Sequence, residues 1–317
     1  MISYFPSYYN SFNCIADKCE DTCCAKWEIV IDDKTAEKYE KLENKTGDRI
    51  RSFLLTDADG DICFQLQNGK CPFLNENGLC NIHIELGIQF TSEICRTHPR
   101  FVEEYDGFTE VSLSLSCPEA NRIIMNTPVR ADTYPTPDYN GEDEVLQQLV
   151  ISRRNILEYA DDFNKLTEAL LNTAADDQLD IDLVYIENTD ILTLSLIKEY
   201  CEYILRNTEI LTDEWKSLLK NTIDSEVNDA DFLQYIKKNN VLLSRVCSYY
   251  IYRYYLKAVN DLDIFSRALF ILLNTLLGAL ISFTDDISLS EAARLCSKEI
   301  EHNTLNINKL LEFLSEI

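Results

Sequence analysis

Nine of the twelve cysteines in this sequence fall between Cys14 and Cys117. Eight of them stand in four groups. Cys14-x4-Cys19-x3-Cys23-Cys24 comes first, in FNCIADKCEDTCCAKW; Cys71 and Cys80 follow in CPFLNENGLCNIH; Cys95 lies in ICRTHPR and Cys117 in SLSCP. Thiolates favour soft or borderline centres: zinc, copper(I) and iron–sulfur clusters. Short spacing lets the sulfurs of one group converge on one ion or cluster, and distant groups complete the set in three dimensions. Disulfides need an oxidising compartment. The opening Met1-Ile2-Ser3-Tyr4-Phe5-Pro6 lacks the basic region and apolar run of an export signal, so a metal centre in a cytoplasmic protein is the expectation. Zinc sites usually draw on two Cys-x2–4-Cys or His pairs. The adjacent pair Cys23-Cys24 and a set poor in histidine fit an iron–sulfur centre better, with zinc as the alternative. His83 and His98 fall within the cysteine groups and read as supporting residues rather than ligands; His302 lies far from them. Cys63 stands outside the motifs and is not expected to ligate. Cys201, Cys247 and Cys296 sit in apolar helical contexts, as small buried hydrophobes do.

The elements that must position these groups read as small and mixed. Trp27-Glu28-Ile29-Val30-Ile31 is β-prone, and Asp32 or Asp33 is placed to cap a helix after it. Lys34–Phe53 reads as helical, and Ile62–Leu66 and Thr109–Leu115 as strands. The core is thin for this much loop, so a metal would organise it. Thr127–Gly141 holds three prolines and a glycine, a linker composition. Beyond it, apolar residues recur at three- and four-residue steps, as in Val145, Leu146, Leu149, Val150, Ile156, Leu157, Ala160 and Phe163. The same pattern runs through 191–206, 209–222, 229–260, 264–284, 289–299 and 303–316. Residues 142–317 hold one glycine, Gly278, and no proline, which favours long helices. The expected fold is mainly α: a small α+β cysteine-cluster domain over residues 1–134, then an all-α helical domain over 135–317. Ile264–Phe283 approaches bilayer-spanning length. Arg267 and Asn274 interrupt it, and its flanks Asp261, Asp263, Asp285 and Asp286 offer no basic anchor. A buried core helix, and no membrane, is the expectation.

Hydrophobic residues make up 46% of the chain, enough for substantial cores, and the net charge is −25. Up to residue 130 there are 13 Lys and Arg against 21 Asp and Glu; after it, 16 against 33. Nucleic-acid binders cluster Lys and Arg against phosphate, so nucleic acid is excluded as a partner. Basic, lysine-bearing protein surfaces suit this charge.

The ordered run Cys14, Cys19, Cys23-Cys24 and Trp27, then CPFL and LC, then CRTHPR, then SLSCPEA, resembles the flagellin lysine-N-methylase family, itself part of a wider cysteine-cluster family. The resemblance covers about residues 12–122. Where the family carries a tyrosine after its Cys-Arg pair, this chain has Thr97-His98. The resemblance implies methyl transfer from S-adenosylmethionine to lysine side chains of flagellin, with an iron–sulfur cluster, of the 4Fe–4S type, as cofactor. It also implies Cys14, Cys19, Cys23, Cys24, Cys71, Cys80, Cys95 and Cys117 as the ligands.

The eight glycines form no phosphate-cradling cluster of the dinucleotide type, so S-adenosylmethionine would dock elsewhere, and the Cys-x3-Cys-x2-Cys spacing of radical enzymes is absent. Arg96 and Arg100, just after Cys95, are candidates to hold the cofactor's carboxylate in bidentate fashion; ion pairs with Glu103 or Glu104 are the plainer use. Trp27 and the tyrosines 249, 250, 252, 254 and 255 could line a lysine-binding surface through cation–π contact, or simply pack a core. A non-enzymatic metal-binding or metal-delivery protein is the alternative to the methylase. If the acidic charge steers a lysine-rich partner, its binding should weaken as ionic strength rises. Titration at two salt concentrations checks this, and salt-independent binding would assign the acidity to solubility alone.

Overall fold

The computed structural model describes residues 1–57, 60–174 and 192–317. In chain order, strand β1 (Ile2–Tyr4) precedes helices α1 (Asp33–Glu40) and α2 (Lys45–Ser52) and strands β2 (Leu54–Thr56) and β3 (Ile62–Phe64). Short helices α3 (Asn81–Leu86) and α4 (Glu93–Thr97) lead to strands β4 (Arg100–Tyr105) and β5 (Phe108–Leu113). Helices follow: α5 (Pro118–Asn126), α6 (Glu144–Leu157), α7 (Phe163–Ala174), α8 (Leu194–Asn207), α9 (Asp213–Asp224), α10 (Asp229–Lys238), α11 (Asn240–Tyr254), α12 (Ile264–Thr284), α13 (Leu289–Ile300) and α14 (Thr304–Leu314). The fold is mainly α with a small strand-containing N-terminal part, as the sequence predicts. It forms two compact units. The smaller holds Asn13–Phe101 and Cys117–Glu119; the larger holds Met1–Phe12, Val102–Ser116 and Ala120–Ile317.

The smaller unit packs around Ile29, Ile31, Tyr39, Ile50, Phe64, Phe73 and Ile82. The helix expected over Lys34–Phe53 breaks into α1 and α2. Asn44 supplies the N-cap of α2 by accepting the Gly47 N–H at 2.8 Å. A Cβ on Gly47 would lie 2.4 Å from the Leu42 carbonyl, so only glycine lets the chain turn this tightly. The β-prone segment 27–31 does not become a full strand. It runs beside β3 through Ile31 N–H to Ile62 O (2.7 Å) and Phe64 N–H to Ile29 O (3.1 Å). On its other side β3 pairs antiparallel with β2.

In the larger unit β1 lies parallel to β5, and β4 flanks β5 on the other side. The β4–β5 turn is Asp106-Gly107, with Gly107 at φ +79°, a left-handed conformation that glycine adopts without strain. Helix α12 forms the centre: α7, α8, α9, α11, α13 and α14 pack on it. It is long and apolar enough to cross a membrane, yet 94% of its apolar stretch is buried inside the protein, as expected of a core helix. The helix expected over 229–260 breaks at Asn239. Residue 191 of the helix expected over 191–206 lies outside the described residues. The stretch 127–141, read as a linker, has no helix or strand, and its Tyr134 and Tyr139 are buried.

Tyr249, Tyr250, Tyr252, Tyr254 and Tyr255 are all buried, so the lysine-binding role considered for them fails; they pack the core and its polar network. Tyr249 and Tyr254 hydroxyls donate to the Glu301 carboxylate, each at 3.0 Å, and Arg253 Nε does so at 3.1 Å. Arg153 clamps Glu110 in bidentate fashion, Nη1 to Oε2 at 2.8 Å and Nη2 to Oε1, with both side chains buried. Removing one partner leaves a buried charge unpaired, which costs about 3–5 kcal/mol. Glu110→Ala should therefore lower unfolding free energy in urea by about that amount. A loss below about 1 kcal/mol would mean the pair contributes no more than a surface bridge.

Candidate metal centre

Four segments of the smaller unit carry the cysteines predicted as ligands, and a backbone hydrogen bond joins the first two. In the first, Cys19 N–H closes a single turn onto Ala16 O at 3.1 Å. Trp27 Nε1 donates to the Cys23 carbonyl at 3.0 Å, and the indole lies 5.6 Å from the His98 ring. Trp27 thereby ties the loop through its indole N–H. The second segment is tied to the first by Cys71 N–H to Cys24 O at 2.8 Å. Within it, Leu74 pairs with Cys80, and Asn75 Oδ1 accepts the amides of Asn77 (2.9 Å) and Leu79 (3.0 Å) to close the loop between the two cysteines. Cys95 sits on α4. Asp32 places it: Oδ1 accepts Thr35 N–H at 3.1 Å to start α1, while Oδ2 accepts Glu93 N–H at 2.7 Å to start α4.

Six sulfurs interact with one another. The Cys23 and Cys24 thiols share a hydrogen bond, and Cys14 and Cys95 act electrostatically on Cys23. Cys24, Cys80 and Cys95 act on Cys71, and Cys24 and Cys80 on Cys95. Cys19 lies in the loop between Cys14 and Cys23, half-buried; Cys117, also half-buried, precedes α5 within the same unit. None of the eight is bridged. Cys71 is buried; Cys14, Cys23 and Cys95 are exposed as residues, but the thiols of Cys23 and Cys95 are themselves largely shielded from solvent.

Burial, with the neighbouring thiols adding to it, pushes the Cys71 thiol up to about 12 and Cys95 to about 11. Cys23 is raised further because its hydrogen bond to Cys24 keeps its proton in place. That same bond, against burial, lowers Cys24 to about 7. Several donors are nevertheless aimed at sulfur. The Phe73 amide bonds to Cys71, and the Ile82 and His83 amides, in the first turn of α3, bond to Cys80. Ser92 Oγ lies 3.1 Å from Cys95 Sγ. Donors to sulfur stabilise the charged, ligating form. Convergent unbridged thiols, N–H···S support and a set of soft donors fit a thiolate-bound zinc or iron centre.

Arg96 is half-buried beside this cluster. Its Nη1 donates to the Thr91 carbonyl, and its charge acts on Asp32 and Cys95. Arg100, half-buried, opens β4. Glu103, weighed as an ion-pair partner for these arginines, binds Arg253 (3.2 Å) and Lys257 (2.6 Å). His83 is exposed and serves Cys80 through its backbone. His302 lies in the larger unit against the Lys298 carbonyl and Glu209. Sequence reasoning missed Ser92, the second oxygen of Asp32 and the backbone amides. Asp32 carried a signal as a cap; its reach to Glu93 carried none.

Residues 13–117 match the CxxCxxCC family, described as a "putative zinc- or iron-chelating domain". Over 129 residues the chain is 33% identical to the Flagellar biosynthetic protein FliU of Salmonella muenchen, covering 39% of this chain and 76% of that protein. Identity is also 33% over 129 residues to the Lysine-N-methylases of Salmonella typhimurium and Salmonella choleraesuis, but there the match spans only 32% of each relative. No solved structure matches the chain.

In metal-free protein, the lowered Cys24 is ionised above about 7, while Cys71, at about 12, stays protonated. Iodoacetamide attacks thiolates. Labelling of Cys24 should therefore rise as pH passes upward through 7, well before that of Cys71, and metal loading should block it. Peptide mass mapping reads the order; equal labelling of both at neutral pH would contradict this electrostatic description.

Proposed function

We propose, from the premise that the chain belongs to the family of FliU and the lysine-N-methylases, that its cysteine centre binds an iron–sulfur cluster and serves S-adenosylmethionine-dependent methylation of protein lysine. The observation that carries this reading is the set of unbridged thiols from separate chain segments that act on one another electrostatically. The adjacent pair Cys23-Cys24 and a cysteine set poor in histidine favour iron–sulfur over zinc. The relatives' names, flagellar and lysine-methylating, support a protein substrate; this reading takes it to be flagellin, methylated in the cytoplasm. Their activity reaches this chain as an inference, because the match covers a third of their length.

Transfer requires a neutral lysine amine. Its nitrogen bonds to the methyl carbon, the sulfonium–methyl bond breaks, the departing thioether keeps the electron pair, and a base takes the amine proton. A bound cluster would supply an iron able to hold the amino and carboxylate groups of S-adenosylmethionine. Arg96, beside Cys95, and Arg100 are placed in sequence to hold that carboxylate. The ligand set for this reading is Cys14, Cys19, Cys23, Cys24, Cys71, Cys80, Cys95 and Cys117. Non-enzymatic metal binding or delivery is the second reading, favoured by the exposure of Cys14.

Anaerobically purified protein should be brown, bind S-adenosylmethionine and methylate flagellin lysines. Arg96→Ala and Arg100→Ala should keep the cluster and weaken cofactor binding about tenfold or more, the worth of a charged hydrogen bond. Unchanged affinity in both variants would make the arginines structural. A cluster-loaded wild type that neither binds the cofactor nor methylates flagellin would leave metal delivery as the function.

A further inference from the structure

Cys63 lies outside the cysteine motifs, and the sequence gives no reason to count it as a ligand. The structure surrounds it with oxygen. It sits on β3, fully buried, and its Sγ is 3.2 Å from Glu28 Oε1, 3.7 Å from Asp57 Oδ2 and 3.7 Å from the Asp61 carbonyl. The fold makes this arrangement. Val30 pairs with Cys63, which brings the segment starting at Glu28 alongside β3. Asp57 and Asp61 close the loop between β2 and β3, through Asp57 N–H to Asp61 O at 2.9 Å and Asp61 N–H to Asp57 Oδ1 at 2.8 Å.

A thiol has one proton, and it can satisfy only one of the two carboxylates beside it; the Asp61 carbonyl already accepts the Asp57 N–H. Two carboxylates against one buried sulfur gather negative charge, which a cation offsets. The distances admit such an ion. With metal–sulfur bonds of about 2.3 Å and metal–oxygen bonds of about 2.1 Å, a tetrahedral ion places sulfur and oxygen about 3.6 Å apart. The observed separations of 3.2, 3.7 and 3.7 Å bracket that edge. The ligand atoms of Glu28, Asp57 and Cys63 all lie within 4.8 Å of one another, the closest such trio among the described residues. One thiolate with two carboxylates is a borderline donor set, matched to zinc or iron(II) rather than to calcium or magnesium.

We infer that Cys63, Glu28 and Asp57, with the Asp61 carbonyl beside them, form a second, mononuclear site for a borderline divalent metal such as zinc, separate from the eight-cysteine centre. Binding there displaces the thiol proton to solvent and leaves a thiolate–metal bond. The site ties segment 27–31 to the β2–β3 loop and holds in place the stretch that follows Cys24. The inference goes beyond the proposed methylase function and stands whichever metal the main centre takes.

The probe is Co2+, added to protein whose main centre is already filled and followed by difference absorption, with Zn2+ as competitor. Wild type should take up about one further equivalent, with a thiolate-to-cobalt charge-transfer band and the d–d bands of a four-coordinate ion. Zn2+ should bleach both. Cys63→Ser should abolish the charge-transfer band, and Glu28→Gln should weaken cobalt binding at least tenfold, both with unchanged content of the main centre. Glu28 is exposed, so Glu28→Gln carries the test even where Cys63→Ser fails to fold, and thermal melting reads which case applies. Absence of an extra equivalent in wild type, or a cobalt spectrum and affinity that neither variant alters, overturns the inference. The increment is read between wild type and variants, so failure of the iron–sulfur reading leaves it interpretable.

Discussion

A sulfur that gives up its proton beside other sulfurs meets like charge, and the smaller unit has gathered the thiols of Cys14, Cys23, Cys24, Cys71, Cys80 and Cys95 around one locus. Without a cation they titrate against one another. Burial and neighbouring charge hold Cys71 and Cys95 protonated far above neutrality, and Cys24 becomes acidic only because Cys23 keeps the shared proton. A metal reverses the sign of every one of these interactions. The surrounding chain is arranged for the reversed state. Amides of Phe73, Ile82 and His83 already point at sulfur, where they stabilise a ligating thiolate and do little for a neutral thiol.

The two units reach stability by different routes. The larger has a dense apolar centre in α12 and neutralises its buried charges internally, Arg153 against Glu110 and Arg253 against Glu301 and Glu103. The smaller has a modest core around Tyr39, Phe64 and Phe73 and long loops. Those loops are fixed at single points: Asp32 on α1 and α4, Trp27 on Cys23, Cys71 on Cys24. In small domains of this kind metal binding is itself folding free energy, so a metal bound by these sulfurs would also hold the segments together.

The cysteine groups were legible because thiol spacing is chemistry written locally, and the helices of the larger unit because a three-to-four-residue apolar period survives any tertiary context. The interruptions at Lys41–Asn44 and Asn239 were not read, since each depends on a cap or a close backbone approach; at Gly47 the neighbouring Leu42 carbonyl decides the matter. The tyrosines 249–255 looked like a candidate surface because polar-tipped aromatics have the same sequence signature whether their hydroxyls meet water or Glu301. Cys63 was set aside because its oxygen partners come from positions 28, 57 and 61, a set only the pairing of segment 27–31 with β3 assembles. Arg96 could be placed beside Cys95 from sequence, but its bond to the Thr91 carbonyl could not.

The central claim is that the gathered thiols are ligands of a polynuclear iron centre. Iron-edge X-ray absorption on anaerobically prepared protein tests it most directly. The account predicts an iron coordination shell made of sulfur at about 2.3 Å, with a second shell of iron–iron scattering, and loss of both when Cys71 and Cys80 are replaced by serine. Protein that carries zinc with no iron, or iron in a shell of nitrogen and oxygen without iron–iron scattering, would contradict it.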